Sequence, residues 1–500
     1  MMQIGAYSVA CALVLVVLGL ASTAQAAPLK VCMVSGSFEY DSDACLDLLK
    51  DYLEEGYDVQ VTLLKATSWT EILGLEALDD CDVALFFTRR LKVEGEPLDR
   101  IKAYWASGRP IVGVRTASHG FQNALEFDKE VLGGNYHNHY GKGLTTRVSF
   151  TEAGKSHPIL DGVGELRSRN TLYMNKPIAE DTEILATGMT PESDGSEPVA
   201  WTRVHHGGRV FYTSLGGLGD FEGASFKRML ANALFWTAER DLARKPLPDV
   251  ARRPVLEGTL HLKLRTRVHE DGAWTEKPLE RDVSIAETAI LICDMWDNHW
   301  CSFAAERCDA IAQRMNGIVE AARERGVQII HAPSDTMGFY TDTPQRRRMQ
   351  LAPMVEPPKS LDLPDRPLPI TAPNGGCPGD DVQYSAWTRQ SPHIEIGEYD
   401  GISDDGREVY SFMQQEGIKH LIIMGVHTNM CVLGRSFAIR QMTRWGVPCY
   451  LVRDLTDTMY DPKDPPNVTH DEGTELVVQH IEQHWCPSLL SEDLVAGLPE

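Results

Sequence analysis

Two residues that could act as a nucleophile and its base each follow an apolar segment. Cys431 follows the apolar residues 421–424 and the polar turn at 427–429, and it stands where a helical pattern begins. Free N–H groups and a positive dipole at a helix start favour a thiolate over a thiol. Asp294 directly follows the apolar residues 288–293, where a carboxylate is costly unless it is paired or functional. The chemistry open to this pair is thiolate attack with proton transfer by the carboxylate; the alternative for Cys431 is a cysteine that only packs.

The first half of the chain has two further groups of reactive side chains. Ser118 and His119 lie in the stretch 115–120, which follows the predicted strand 109–114 and half-matches a nucleophile elbow, with Ser118 in the middle, Gly120 after it and a threonine where the first glycine is expected. His137 and His139 alternate on a glycine-rich stretch and could bind a metal or an anionic group. The alternative for both groups is that these polar side chains satisfy a turn.

The segments that must position these residues alternate between strand and helix patterns in both halves of the chain. Alternation of this kind predicts parallel sheets with helices on both faces and functional residues at the carboxyl ends of the strands. Asp294 and Cys431 each follow a segment that reads as a strand buried on both faces. We therefore expect the two side chains to meet at one edge of one sheet.

Composition and the first residues limit the function. The formal net charge of -23 and the pI near 5.1 argue against a nucleic-acid or anionic-membrane partner. The segment 1–26 has an apolar core and an Ala-Gln-Ala site, which predicts a signal peptide, with an uncleaved anchor as the alternative. The expected mature chain is exported and free of the membrane and has a small-molecule substrate, and a homo-oligomer is a candidate assembly. The cysteines are scattered and indicate no disulfide framework.

The stretch 29–240 resembles the ThuA-like (trehalose utilisation) family, whose domain is similar to class I glutamine amidotransferases and has a flavodoxin-like fold. The resemblance implies a sugar-related binding or catalytic module. A carbohydrate enzyme in this domain that uses Ser118, His137 and His139 is one alternative location for the chemistry. The motifs that carry the resemblance are His-Pro-Ile at 157–159, Pro-Val-Ala-Trp at 198–201, Gly-Arg-Val-Phe-Tyr-Thr-Ser-Leu-Gly at 208–216 and Asn-Ala-Leu-Phe-Trp at 232–236.

The stretch 285–465 resembles the isochorismatase-like cysteine hydrolases, which include nicotinamidases. The resemblance implies Cys431 as nucleophile and Asp294 as base. It also implies an oxyanion hole from backbone N–H groups near Met430 and Cys431, beside a cis peptide around residues 426–427, and a substrate region with His427, Asn429 and Trp296. The carrying motifs are Ile-Cys-Asp-Met-Trp at 292–296, His-Ala-Pro at 331–333, Gly-Val-His-Thr-Asn-Met-Cys-Val at 425–432 and Val-Arg-Asp at 452–454.

Two features of that family are not matched. The family lysine is expected at the end of a strand at 393–396, but no lysine occurs between Lys359 and Lys419, and Arg389 is a candidate substitute. The metal pattern of nicotinamidases is not evident either. His299 and His331 are the candidate ligands for a possible divalent metal, and packed or turn-satisfying histidines are the alternative. No other cofactor is expected.

The sequence therefore predicts an α/β protein with two αβα sandwich domains, the first flavodoxin-like or glutamine amidotransferase-like and the second isochorismatase-like. The predicted layout is a signal peptide at 1–26, a ThuA-like domain at 28–242, a linker with a possible hairpin at 243–284 and an isochorismatase-like domain at 285–490. The predicted function is an exported hydrolase that acts on a C–N or related bond of a small molecule. The alternative is a non-catalytic binding protein that has lost the family lysine.

Overall fold

The structure, a computed structural model, describes residues 27–499 and contains two α/β domains. The predicted signal peptide lies outside the described residues. Within residues 27–499, no helix combines the length and apolar character needed to cross a membrane. The α/β fold class predicted from the sequence is confirmed, because each domain has a central sheet with helices on both faces.

The first domain is built on a ten-stranded sheet in which five adjacent strands are parallel and the remaining pairs are antiparallel. Its order is β3-β2-β1-β4-β5-β12-β11-β10-β7-β8, and β6 and β9 pair separately. The strands from β2 to β12 run parallel, whereas β12 to β8 are joined antiparallel. The alternation of strand and helix patterns predicts a fully parallel sheet, and this prediction is correct for one half of the sheet only. The strands are β1 Leu29–Gly36, β2 Val59–Ser68, β3 Glu71–Ile72, β4 Val83–Thr88, β5 Ile111–Val114, β6 Asn138–His139, β7 Thr146–Phe150, β8 Arg167–Ser168, β9 Tyr173–Met174, β10 Glu183–Met189, β11 Glu197–His205 and β12 Gly208–Thr213.

Helices cover both faces of this sheet. Apolar residues of α1 and α5 pack on one face, and those of α2 pack on the other, so the domain has three layers. The strands β4 and β5 are buried along their whole length, as expected for central parallel strands. The helices are α1 Ser42–Gly56, α2 Glu96–Ala106, α3 Glu152–Ser156, α4 Leu218–Glu222 and α5 Ala224–Thr237.

The second domain has an eight-stranded sheet with the order β14-β13-β20-β19-β18-β15-β16-β17. The strands from β20 to β17 are parallel, and the long β13–β14 hairpin joins them antiparallel through β20. The hairpin expected within residues 243–284 is therefore present and extends this sheet. The strands are β13 Thr259–Glu270, β14 Ala273–Ser284, β15 Thr288–Cys293, β16 Gln328–Ala332, β17 Gly401–Ile402, β18 His420–Val426, β19 Cys449–Asp457 and β20 Ser488–Leu489.

The helices of the second domain also form two layers. Residues of α8, α10 and α11 pack on one face of the sheet, and residues of α6 and α12 pack on the other. In α6 the buried residues recur every three or four positions, which is the pattern of a helix with one face on a core. The helices are α6 Ser302–Glu324, α7 Pro344–Gln350, α8 Gly406–Glu416, α9 Cys431–Gly434, α10 Ile439–Arg444, α11 His470–His484 and α12 Ser491–Ala496.

Two local predictions in the second domain are wrong. Residues 393–396, where a strand is expected, are irregular. The short edge strand β17 begins a few residues later in the chain. The helical pattern that begins at Cys431 does not form one continuous helix but two short helices, α9 and α10, separated by residues 435–438. In both places, loops next to the sheet edge determine the backbone conformation, and periodic apolar residues do not.

Candidate active site

Asp294 is the first residue after β15, and its carboxylate is fully buried at the carboxyl edge of the second sheet. Its backbone has a left-handed conformation with φ of 47°, which is uncommon for a residue with a Cβ atom. Its N–H donates to Ala332 O at 3.0 Å, and its Oδ1 accepts the N–H of Ser334 at 2.7 Å. These bonds fix the carboxylate beside the ends of two neighbouring strands.

Cys431 reaches the same edge from the neighbouring strand β18. Gly425 near the end of β18 has φ of 118°, and a Cβ atom there would lie 2.0 Å from Cys293 O, so only glycine fits. The peptide bond between Val426 and His427 is cis, as the resemblance implied. The Cys431 side chain is partly exposed, and the Asp294 carboxylate lies close enough to raise the pKa of the thiol. The two side chains therefore meet at one sheet edge, as the sequence predicts.

A cation completes this pair, and the sequence analysis missed it. Arg435 Nε donates to Asp294 Oδ2 at 2.9 Å, so both oxygens of the carboxylate are bonded. The family resemblance places the cation at the end of the strand before α8. Arg435 instead stands four residues after Cys431. A basic residue one helical turn beyond a candidate nucleophile is the signal that would have found it.

Burial and the arginine act in opposite directions on both reacting groups. Burial raises the pKa of Asp294, and Arg435 works against that rise. Burial also raises the pKa of Cys431, with a smaller contribution from Asp294, whereas Arg435 and the His427 backbone N–H favour the thiolate. Arg435 therefore opposes the effect of burial on both groups and favours the negative form of each.

A cavity of about 290 Å³ opens beside Asp294. The Trp296 indole lines it and is fixed by an Nε1–H bond to Ser334 O at 3.0 Å. His299 also lines the cavity, and burial lowers the pKa of its ring to about 4, so the ring is neutral near pH 7. The volume suits a small molecule.

The N–H of Cys431 is the available donor for an oxyanion. Within the described part of the chain it has no hydrogen-bond partner, because it is the first residue of α9. The N–H of Met430, which the resemblance also implied, donates to His427 O at 3.0 Å. Of the two N–H groups named from the sequence, the one of Met430 is thus paired and the one of Cys431 has no partner among the described residues.

Comparisons with known proteins identify both domains. The family model for trehalose utilisation (ThuA) matches residues 30–237, and the isochorismatase domain model matches residues 288–465. Residues 30–237 form a ThuA domain, and residues 288–465 form an isochorismatase domain. Both resemblances seen in the sequence are therefore confirmed, and the second domain is an isochorismatase-like hydrolase domain.

The solved structures that match parts of the chain have low sequence identity to it. A ThuA-like protein from Parabacteroides merdae is 15% identical; the match covers 45% of this chain and 94% of that chain, with a TM-score of 0.36. A cysteine hydrolase from Pseudomonas syringae pv. phaseolicola is 15% identical; the match covers 43% of this chain and 94% of that chain, with a TM-score of 0.30. No curated protein matches the chain.

Two residues of the turn in the isochorismatase domain serve the fold rather than the cavity. The side-chain amide of Asn429 bonds both backbone groups of Met459 at 3.0 Å, so it is fully engaged within the protein. The His427 ring is buried against Cys308, with 3.7 Å between Nε2 and Sγ, and burial lowers its pKa to about 3. Neither residue is among those that line the cavity, whereas Trp296 is.

The other two predictions for this domain need correction. His331 is fully buried, and its ring nitrogens bond Gln390 Oε1 at 2.8 Å and Asp400 Oδ2 at 2.9 Å, so both are occupied. Arg389, the first candidate for the missing positive charge, forms an ion pair with Glu222 of the ThuA domain instead. It cannot supply charge to Cys431 while that pair holds.

The candidate residues of the ThuA domain do not assemble into a catalytic group. Ser118 Oγ and His119 Nδ1 are 3.0 Å apart, but both residues are buried, and burial lowers the pKa of His119 to about 3. His137 and His139 each bond a nearby backbone oxygen through Nδ1. The alternative that these are turn and packing residues fits the structure better.

None of the four candidate histidines belongs to a group with metal-binding geometry. In residues 27–499, the one group that meets a distance criterion for metal ligands contains Cys301, Cys377 and Asp381. Those cysteines form a disulfide, so their sulfurs cannot act as thiolate ligands. The residues present therefore do not fit the divalent metal considered from the sequence.

Proposed function

We propose that the isochorismatase domain is a cysteine hydrolase acting on a C–N or related bond of a small molecule. Cys431 is the nucleophile, Asp294 is the general base and acid, and Arg435 takes the place of the family lysine. The observation that carries the proposal is that Asp294 lines a cavity, is bonded to Arg435 and shares its sheet edge with Cys431. A binding protein that had lost its catalytic cation would not need an arginine bonded to the base.

The proposed reaction has two halves. The Cys431 thiol gives its proton to Asp294, and the sulfur attacks the carbonyl carbon. The oxygen becomes negative beside the free N–H of Cys431, and collapse of this intermediate breaks the C–N bond. Asp294 returns the proton to the leaving nitrogen, and a thioester remains. Water, deprotonated by Asp294, then releases the acid product and restores the thiol.

The cavity lining favours a neutral or positively charged substrate. Glu306 and Asp309 are exposed residues at this cavity, and the described residues that line it include no lysine or arginine. The neutral ring of His299 adds no compensating charge. An anionic substrate would meet the carboxylates of Glu306 and Asp309, so we expect amides without an acidic group to be preferred.

Export remains part of the proposal and depends on the first residues of the sequence. The disulfide between Cys301 and Cys377 supports it, because disulfides persist mainly in oxidising compartments. It fixes the start of α6, close to the residues that line the cavity. Expression with and without residues 1–26, followed by cell fractionation, tests this point; retention of the complete chain in the cytoplasm would contradict it.

The decisive test of the reaction is a panel of neutral, cationic and anionic amides assayed for release of ammonia or amine. The full-length protein should hydrolyse at least one neutral or cationic amide, and Asp294→Asn should lower the rate by about 10²-fold to 10⁴-fold. Intact-mass spectrometry should detect an acyl adduct on Cys431 with a slow substrate. Turnover that persists without Cys431 would overturn the proposal.

A further inference from the structure

A short segment of the isochorismatase domain, residues 386–390, lies against the ThuA domain; we call it the bridging segment. Thr145 Oγ1 of the ThuA domain donates to Ala386 O at 2.5 Å. Arg167 Nη1 donates to Trp387 O at 3.1 Å, and its guanidinium lies 5.9 Å from the Trp387 ring centre. The Arg167 side chain is only 6% exposed, so these contacts belong to a packed interface.

Two ion pairs add to this contact. Arg389 of the bridging segment pairs with Glu222 of the ThuA domain at 2.5 Å. Arg169 Nη1 donates to the carbonyl of Asp297 at 3.2 Å and lies 3.8 Å from its carboxylate. Asp297 lines the candidate active-site cavity, so the interface reaches the cavity wall directly.

The same segment also supports that wall from behind. The Trp387 ring stacks on Trp296 with a centroid distance of 4.0 Å and an interplanar angle of 9°, and it lies 5.9 Å from the ring of His299. Trp296 and His299 are both cavity residues. Aromatic stacking has a defined geometry, so a shift of Trp387 would tilt the surface that faces the substrate.

Hydrogen bonds to the rest of the isochorismatase domain hold the other side of the bridging segment. Asp297 accepts the N–H of Thr388 at 2.8 Å and its hydroxyl at 2.6 Å. Gln390 bonds the buried His331. The segment has no regular secondary structure of its own, so its position depends on anchors from both domains.

We propose that the ThuA domain positions the cavity wall of the isochorismatase domain, and that Arg167 is the positioning residue which holds Trp387 against Trp296. The expected effect of Arg167 on turnover rests on the proposed function, whereas its effect on the position of Trp387 does not. Arg167 touches no reacting atom, so its loss should weaken substrate binding more than the chemical step.

The test uses the full chain with Arg167→Met, which keeps the apolar stem and removes the donor and the charge. Arg167→Lys restores the charge. The matched control is Arg228→Met, because Arg228 also forms an ion pair across the domains, with the partly buried Asp342 at 3.1 Å, but does not touch the bridging segment. Near-ultraviolet circular dichroism reports the stacked tryptophans, and Trp387→Leu identifies their band.

We expect Arg167→Met to weaken that band and to raise KM by about tenfold with kcat changed less than about twofold. Arg167→Lys should recover part of both, and Arg228→Met should match the wild type. The inference is overturned if Arg167→Met keeps the wild-type band, or if Arg228→Met changes it equally. The band decides this even when no amide in the panel is hydrolysed, so failure of the proposed reaction is a separate result.

Discussion

Arg115 and Asp294 occupy equivalent places in the two domains and have opposite roles. Each directly follows a fully buried strand of its sheet, each is buried, and each has a left-handed backbone with φ of 46° and 47° respectively. The Arg115 guanidinium lies between the rings of Tyr40 and Tyr173, 4.5 Å from each centre. Asp294 instead meets a thiol and a partly exposed arginine beside a cavity.

The difference shows that a sheet edge alone does not make an active site. Both edges carry a buried charged residue with an unusual backbone conformation. In the ThuA domain this residue, Arg115, holds loops together. In the isochorismatase domain the charge faces a group that can lose a proton and a space that can hold a substrate. Function therefore follows from the partners of the charged residue, not from its place in the fold.

Replacing the two candidate nucleophiles gives the largest contrast between the domains. Cys431→Ser should lower hydrolysis by more than about 10³-fold, because serine at this position is a far weaker nucleophile than the thiol. Ser118→Ala should leave hydrolysis unchanged, because its hydroxyl bonds only Arg115 O and His119. Amide turnover by both variants measures the contrast. Loss of turnover in Ser118→Ala alone would move the chemistry to the ThuA domain.

Replacing Arg435 should give the next largest effect. Without this cation the pKa of Asp294 and that of Cys431 both rise further, since Arg435 lowers each of them. Because Asp294 must be ionised to accept the proton, the acidic limb of the pH–rate profile should move to higher pH in Arg435→Met. We expect turnover at pH 7 to fall by about 10²-fold.

Two variants separate this role from a general effect of charge. Arg435→Lys keeps the positive charge and should recover part of the rate and of the pH profile. Arg440→Met removes an arginine of α10 that pairs with Asp365, and it should leave both unchanged. An unchanged acidic limb in Arg435→Met would contradict the assignment of Arg435 as the catalytic cation.

The sequence predicts the parts of this molecule that depend on periodic apolar residues and on motifs. The two sheets, the pairing of Asp294 with Cys431 and the position of Trp296 are of this kind. Arg435 was missed because it follows a one-turn helix whose continuation, α10, begins only after a break at 435–438. The engagement of Asn429 with Met459 was equally invisible, since that contact joins residues 30 positions apart through a loop. Such contacts are set by tertiary packing.

Arg115→Met should reduce stability but not the activity of the folded protein. The variant loses bonds to Ser214 O at 2.7 Å and to Thr171 at 3.1 and 3.2 Å, and it removes a donor from the buried Ser214 carbonyl. We expect the free energy of unfolding of the ThuA domain to fall by about 3 kcal/mol. Denaturant titration followed by tryptophan fluorescence measures this loss. Loss of turnover in the fully folded variant would instead indicate that this edge also has a catalytic role.

The smallest effect is expected for the two histidines of the ThuA domain loop. His137 is exposed and His139 is partly exposed, and each ring bonds only a carbonyl within two residues. The double variant His137→Ala/His139→Ala should change the free energy of unfolding by less than about 0.5 kcal/mol and leave turnover unchanged. Metal analysis after dialysis against Zn²⁺ should give the same content as for the wild type. Zinc retained only by the wild type would show that this loop binds a metal. The two sheet edges would then both carry a site, and they would differ only in the kind of site.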